Sequence, residues 1–422
     1  MSGLKVINAF SRYYKSVGLY FVASLIPMAL NLITNPLIAM NMSPKDYAIT
    51  GYYTSFTTLL SPLITFYMFH YYAKRFFECN DDERKILKST ICKALIGFSG
   101  ILSVLSFFGV LLYVVNDGDS SCLPISPYLA LTVFAIPLAG LFTLMQTDLR
   151  MRREAGTFFR LTVTNGVLLT GMNLLMVAVF KMGALGKTLA PFIIQLIFFL
   201  YCLYKYKDLM RIPFDMALFK RILGFCLPLT LAAMLGFFAN GYDKVYLEQL
   251  NDVNELGYYV VGIQIAMYIN VFQNAIGSTF KPDLFEAVVK NNRKKLVRVI
   301  LLLMGSISLI SLTFIILCPF IIQLLTAGRY MESTTYAQIG ALSVVTSMMY
   351  YVTSEITIAK GYTYIALINS IVSSALCILV FYVLISRFQF VGAAWGLVLA
   401  YIFKLISNIA LIPFFNKKKH AT

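Results

Sequence analysis

Residues 290–326 read KNNRKKLVRVILLLMGSISLISLTFIILCPFIIQLLT. Five cations (Lys290, Arg293, Lys294, Lys295 and Arg298) give way at Val299 to a long run in which no side chain is charged. A helix needs about 20 apolar residues to cross a hydrocarbon core. The run at 296–326 exceeds that length, which predicts a membrane span with a turn near Pro319.

The same alternation of basic cluster and apolar run repeats along the chain. It predicts spans at 17–40, 47–73, 91–115, 125–148, 158–180, 184–206, 218–240, 256–280, 296–326, 333–359, 363–386 and 391–415, about twelve in all. Composition agrees: 59% of the 422 residues are hydrophobic and 13% are charged, against roughly a quarter charged in soluble domains. The longest external loop, Gly241 to Glu255, is too short to hold a soluble domain. The chain is therefore expected to be an all-α integral membrane protein that works within its helices.

The net charge of +16 would suggest nucleic acid on a soluble protein. Here the cations orient the spans. Lys5, Arg12 and Lys15 lead. Lys74, Arg75, Arg84, Lys85, Lys88 and Lys93 follow span 2, and Arg150, Arg152, Arg153 and Arg160 follow span 4. Lys205, Lys207, Arg211, Lys220 and Arg221 follow span 6. Lys281 and the 290–298 cluster follow span 8, Lys360 follows span 10, and Lys417 to Lys419 come last. The opposite side holds Lys45, Lys181, Lys187, Lys244, Arg329 and Arg387. The split is 28 against 6, with Lys404 left inside a span. By the positive-inside rule both termini are cytoplasmic, facing an anionic leaflet. The first fifteen residues show no cleavable signal pattern.

Cys79, Cys92, Cys122, Cys202, Cys226, Cys318 and Cys377 form no metal-ligand spacing, and the topology puts only Cys122 outside, so neither a metal site nor a disulfide framework is expected. No P-loop appears, and only two histidines are present, which weighs against nucleotide-driven or histidine-based catalysis. No cofactor is expected.

The chain also reads as two halves, 1–207 and 208–422, of six spans each. Pro27 lies in span 1 and Pro228 in span 7. Gly183-Ala184-Leu185-Gly186 with Leu189-Ala190 is echoed by Gly392-Ala393-Ala394-Trp395-Gly396 with Leu399-Ala400. Halves that start on the same side would be parallel repeats. The alternative is that small residues recur in any close-packed membrane helix.

Several motifs together carry a family resemblance. Asn240-Gly241-Tyr242-Asp243-Lys244 follows span 7, then come Glu255-Leu256-Gly257-Tyr258-Tyr259 and Lys281-Pro282. Gly328-Arg329-Tyr330 follows span 9, and Ser43-Pro44-Lys45-Asp46-Tyr47 precedes span 2, with Ala48 where the family usually has Gly. This pattern resembles the polysaccharide-export flippases, the O-antigen or Wzx type, of the multidrug/oligosaccharidyl-lipid/polysaccharide (MOP) superfamily. The resemblance implies a MATE-like fold of two six-helix lobes around a central cavity in a bacterial inner membrane. It also implies transfer of an undecaprenyl-pyrophosphate-linked oligosaccharide, such as an O-antigen, lipopolysaccharide or capsule repeat unit, between leaflets. Membrane lipids, a polysaccharide polymerase and proton or sodium coupling are the partners it brings to mind.

Passing an anionic headgroup through hydrocarbon calls for a polar, cationic lining, and ionisable residues inside spans usually face such a lining. Lys404 is the clearest candidate, with Tyr401 and Asn408 about one turn away on the same helix face. Its alternative is a snorkelling or paired lysine. Asn270, Asn274 and Lys281 share one face of span 8, with Gln273 beside them, and Asn31 and Asn35 follow Pro27 at steps of four. The alternative for these is interhelical hydrogen bonding, and for Lys281 interfacial anchoring. Pro27 and Pro228 are candidate hinges or static kinks. Asp243 and Lys244 are a candidate gate or cap pair on the external loop. His70 and Glu355 are candidate coupling groups, although Glu355 is also well placed to pair with Lys360, and Asp148 with Arg150. Three rivals stand beside the flippase reading, one of them a non-transporting scaffold or lipid scramblase, whose cavity would look identical in sequence. A cation-driven drug exporter of the same superfamily needs buried carboxylates, of which few lie inside spans. A glycan-assembly enzyme needs a large catalytic loop, which the chain lacks.

Overall fold

The computed structural model describes residues 19, 22–23, 25–116, 123–359 and 363–419. Lys5, Arg12, Lys15, Cys122 and Lys360 lie outside the described residues. Within them the chain is helical, with no strand. The helices are α1 (Leu25–Met40), α2 (Pro44–Thr65), α3 (Met68–Arg75), α4 (Asp81–Asn116), α5 (Tyr128–Met151), α6 (Ala155–Leu174), α7 (Gly183–Lys205), α8 (Met216–Leu235), α9 (Phe237–Asn240), α10 (Tyr242–Glu248), α11 (Val253–Ala266), α12 (Ile269–Val289), α13 (Arg293–Thr326), α14 (Thr334–Ala359) and α15 (Thr363–Lys419). Among the described residues, eight helical stretches are long and apolar enough to cross a membrane. This is a multi-pass membrane protein.

The breaks within spans have local causes. Span 2 divides between α2 and α3 at Phe66 and Tyr67, which both take positive φ (48° and 47°). Side chains carrying a Cβ pay about 1–3 kcal/mol each for such a conformation. The packing of Met68 and Tyr72, both fully buried, offsets that cost. Span 7 runs unbroken through Pro228 in α8 and breaks later, at Gly236 and Gly241. A Cβ on Gly241 would strike the Phe237 ring and the Ser55 carbonyl, so only glycine fits there. The loop expected from Gly241 to Glu255 is largely helix, α10 and the start of α11. Span 9 is one helix; the turn expected near Pro319 is absent. A lipid-facing helix that opened there would strand backbone groups in hydrocarbon. The helix stops instead at Ala327 and Gly328, both left-handed, where the Gly328 amide closes back on the Gln323 carbonyl at 2.9 Å. Spans 11 and 12 are the two arms of α15, bent at Gln389 (φ 49°, ψ −127°).

Residues group into two compact units. One comprises 1–42, 60–118 and 124–231, and the other 43–59, 119–123 and 232–422. The boundary near residue 231 falls inside α8, later than the 207/208 division read from the sequence. In the first unit Leu87, Ile91, Leu95, Leu144, Ile194 and Ile222 form the core. In the second, Ile269, Val299, Leu303, Ile307, Val344 and Met348 do so. The burial pattern of α4 recurs in α13 at an offset of 212: Leu87 and Val299, Ile91 and Leu303, Leu95 and Ile307, Ser99 and Ser311 are all buried.

Candidate functional site

The second arm of α15 is set by glycine. A Cβ on Gly392 would overlap the Leu384 carbonyl, and one on Gly396 would overlap the Phe381 ring. The small-residue run thus lets the two arms lie against each other, and it fixes the turns that carry Tyr401, Lys404 and Asn408. Two of these three bond to other helices. The Tyr401 hydroxyl donates to Asn240 Oδ1 at 2.8 Å. The buried Asn408 donates from Nδ2 to Thr353 Oγ1 at 3.3 Å and accepts from Thr357 Oγ1 at 3.5 Å. Lys404 is different. Its Nζ lies over the rings of Tyr401 (5.3 Å) and Tyr350 (5.8 Å), and no carboxylate among the described residues lies within ion-pairing distance. A half-buried ammonium lying over two π faces keeps most of its capacity to meet an anion.

Next to α14 the polar face of span 8 is partly committed. Lys281 pairs with Glu355 at 2.7 Å; the expected partner Lys360 lies outside the described residues. Gln273 accepts from Ser347 Oγ at 3.0 Å. Asn270 contacts Met267 Sδ at 3.0 Å on its own turn, and Asn274 is exposed. Beyond the span, Lys290 and Lys295 hold the Glu286 carboxylate down at about 2.

Asp243 is fully buried in α10, where Tyr259 donates to it at 2.6 Å and Lys244 approaches to 3.1 Å. It serves as an internal acceptor for α11, not as a residue of an open loop. The motifs that carry the sequence resemblance gather nearby. Ser43 caps α2 reciprocally with Asp46 (2.8 and 3.2 Å), with Pro44 in the first turn, as a capping box requires. Gly257 admits the Pro44 backbone, and Gly51 faces the Val260 side chain. Tyr330 meets Tyr47 and Tyr258 at 5.2 and 6.0 Å, and Tyr336 donates to Glu255. Three separated motifs therefore form one seam between α2, α11 and the Gly328–Tyr330 turn.

In the first unit Pro27 fills the space left by Gly166, Asn31 is exposed and Asn35 is buried. His70 is exposed and lies against Tyr67 and Phe69. One constellation here escaped the sequence. Lys88 and Asp148, 7% and 6% exposed, pair at 2.5 Å. Tyr72 and Arg152 also donate to Asp148, at 2.5 and 2.9 Å. Arg150, two residues from Asp148, points elsewhere, to Thr147 and the Phe158 ring. Helix geometry gives the reason: Arg152 is one turn from Asp148, whereas residues two apart face away. The spacing to Arg152 was the usable signal; Lys88 and Tyr72 come from other helices and left none. Lys88→Met should unpair part of a buried charge. We expect a loss of about 3 kcal/mol, below the full cost of orphaning an ion because Arg152 and Tyr72 remain. It is read as a fall of about 5 °C in the melting midpoint of detergent-solubilised protein, and an unchanged midpoint would show the pair to be neutral.

The profile of a family described as "Polysaccharide biosynthesis protein" matches residues 13–288. No curated protein gives a significant sequence match. Among solved structures, the lipid II flippase MurJ in an inward closed conformation superposes with a TM-score of 0.69 at 16% identity, covering 93% of this chain and 87% of its own. An inward-facing multidrug resistance MATE family transporter of the MOP superfamily gives 0.66 at 15% identity, with coverages of 94% and 98%. A point mutant of the Vibrio cholerae MATE transporter VcmN gives 0.59 at 14% identity, with coverages of 98% and 97%. The fold is thus of the kind shared by MurJ and the MATE transporters.

Proposed function

Because this chain belongs to the polysaccharide biosynthesis protein family, we propose that it translocates a lipid-linked oligosaccharide between leaflets, from cytoplasmic to outer, by alternating access. The observation that carries this reading is Lys404: a cation within a candidate span, stacked on Tyr350 and Tyr401 and lacking a carboxylate among the described residues. A phosphate or acidic sugar is the natural partner for such a group. The likeness in fold to a lipid II flippase supports it.

In this reading Lys404, Tyr401 and Asn408 form the centre of the substrate path. Asn270, Asn274, Asn31 and Asn35 offer hydroxyl partners, and the Lys281–Glu355 pair opens as sugar passes. Pro27 and Pro228 serve as hinges. The chain has twelve spans in two six-helix lobes, with both termini in the cytoplasm of a bacterium and the protein in its inner membrane. The recurrence of α4 burial in α13 supports duplication of the halves. Asp243 with Lys244 and Glu355 with Lys281 are paired groups assigned to gating, which would have to part before either carboxylate could serve in proton or sodium coupling; His70 is the further coupling candidate. The substrate is an O-antigen or capsule-type repeat unit on undecaprenyl pyrophosphate, handed to a polymerase. The chain itself does no catalysis.

The rival is a cation-coupled exporter, to which the MATE likeness lends the same fold support. It is disfavoured because Asp148, Asp243 and Glu355 are each bonded to lysine, arginine or tyrosine. The test is disruption of the gene in its host. Surface polysaccharide should vanish while the lipid-linked repeat unit accumulates in the inner membrane, and wild-type protein should restore export. Undiminished surface polysaccharide together with a newly acquired drug sensitivity would favour the exporter instead.

A further inference from the structure

At one end of the first unit, a cavity of about 530 Å³ opens between the start of α4, the end of α5 and the end of α7. Arg84, Lys85, Lys88, Arg152 and Lys205 line it, with Asp81. It contains none of the residues assigned to the substrate path, and its charges do not balance. Asp81 neutralises Arg84 at 2.8 Å, and Asp82 neutralises Lys85 at 2.9 Å. Asp148 is shared by Lys88 and Arg152. Lys205 contacts the Tyr201 ring at 5.9 Å and has no carboxylate partner among the described residues. Five cations thus meet three carboxylates, a surplus of two positive charges.

A second observation concerns the wall of the cavity. Tyr206 lines the same cavity and is 6% exposed, yet its hydroxyl has no hydrogen-bond partner. Buried hydroxyls nearly always have one. Lys88 Nζ sits over its ring at 4.2 Å, which keeps donors and phenol together. The base is rigid: Ser89 donates to the Leu209 carbonyl at 2.7 Å, and Lys93 donates to that of Ile212 at 2.5 Å.

The depth of the cavity narrows the ligand. α4 begins at Asp81, α7 ends at Lys205, and both are candidate spans, as is α5. The cavity therefore lies where spans meet the interface. Tyr201 and Tyr204 are exposed on α7, with Lys205 and Lys207 over their rings. Aromatic and basic residues of this kind mark headgroup level, where the phosphates of lipids lie.

We propose that this cavity is a binding site for the phosphate group of a lipid headgroup, either a bulk anionic phospholipid or a polyprenyl diphosphate, held by Lys205 and Arg152. The proposal goes beyond the transport reading and stands on the membrane placement of the helices alone.

The test is native mass spectrometry of the purified full-length protein in detergent. It is titrated separately with phosphatidylglycerol, farnesyl diphosphate, phosphatidylcholine and inorganic pyrophosphate. Wild-type protein should retain phosphatidylglycerol or farnesyl diphosphate, whichever is preferred identifying the source, at least about tenfold better than Lys205→Glu and Arg152→Gln proteins, the loss expected when a charge-assisted contact of about 1.4 kcal/mol is removed. Lys205→Glu disturbs no hydrogen bond or ion pair of the cavity, so its loss cannot be ascribed to misfolding. Lys290→Gln, outside the cavity, should bind as wild type does. Equal binding by wild-type and Lys205→Glu proteins would overturn the proposal. So would binding of inorganic pyrophosphate alone, or of phosphatidylcholine as tightly as phosphatidylglycerol. None of these readouts depends on transport, so failure here leaves the flippase reading intact, and failure of export leaves this one intact.

Discussion

Replacing Lys404 by alanine is expected to cut surface polysaccharide at least about tenfold, the effect of losing one charge-assisted phosphate contact of 1.5–3 kcal/mol, while leaving the amount of protein in the membrane unchanged. The second half of that expectation comes from the structure. Where a buried ion pair is cut, the surviving charge is left in a low dielectric and the fold pays for it. Lys404 has aromatic rings for neighbours and no carboxylate partner among the described residues, so its removal orphans nothing. Lys404→Arg keeps the charge and the stacking and should retain much of the export. Lys404→Met keeps the length without the charge and should behave like alanine. Normal surface polysaccharide in Lys404→Met cells, with the protein present, would remove this residue from the path.

The second large effect concerns the seam between α2 and α11. A Cβ at position 51 would lie 3.1 Å from Val260 Cβ and closer still to its methyl groups. Gly51→Cys alone should therefore crowd Val260 and lower the yield. Paired with Val260→Cys it gains room, and the two sulfurs come near disulfide reach, given a usual Cβ separation of about 3.8 Å. In a background cleared of native cysteines, oxidation of the double variant should reduce export at least about tenfold, with recovery on adding reductant. Alternating access requires helices from the two halves of a transporter to part and rejoin. α2 comes from the first half of the sequence and α11 from the second, although Gly51 and Val260 belong to one compact unit. Full transport by the cross-linked protein would show the seam to be a static joint.

Much of the fold was legible because the bilayer imposes a length and a charge rule. Apolar runs bounded by cations mark helices without help from tertiary contacts, and the placement of α4 to α7 and of α13 follows from them. The breaks were less legible. Proline drew attention at Pro228 and Pro319, yet both lie inside continuous helices, while the chain bends at Gly236, Gly241, Phe66–Tyr67 and Gln389. Proline removes one hydrogen bond from a helix that still has every other reason to continue. Phe66 and Tyr67 carry no local sign of their conformation, because the contacts that force it are tertiary. The site divides in the same way. Lys404 announced itself as a charge within an apolar run, and the face it shares with Tyr401 and Asn408 is a matter of helical period. The partners of Asp148, Asp243 and Glu355 lie on other helices or belong to pairs whose geometry spacing alone does not fix.

The glycine-fixed hairpin of α15 also bears on how the protein meets the membrane potential. Moving one elementary charge across 100 mV is worth about 2.3 kcal/mol. With Gly392 set against Leu384 and Gly396 against Phe381, Lys404 is tied to the packing of both arms of α15, so its charge shifts in the field only as that hairpin shifts. On the transport reading proposed above, the current per turnover would then sum the charge of the cargo and any co-transported ions with the displacement of that hairpin, and comparing wild-type with Lys404→Met currents separates the two.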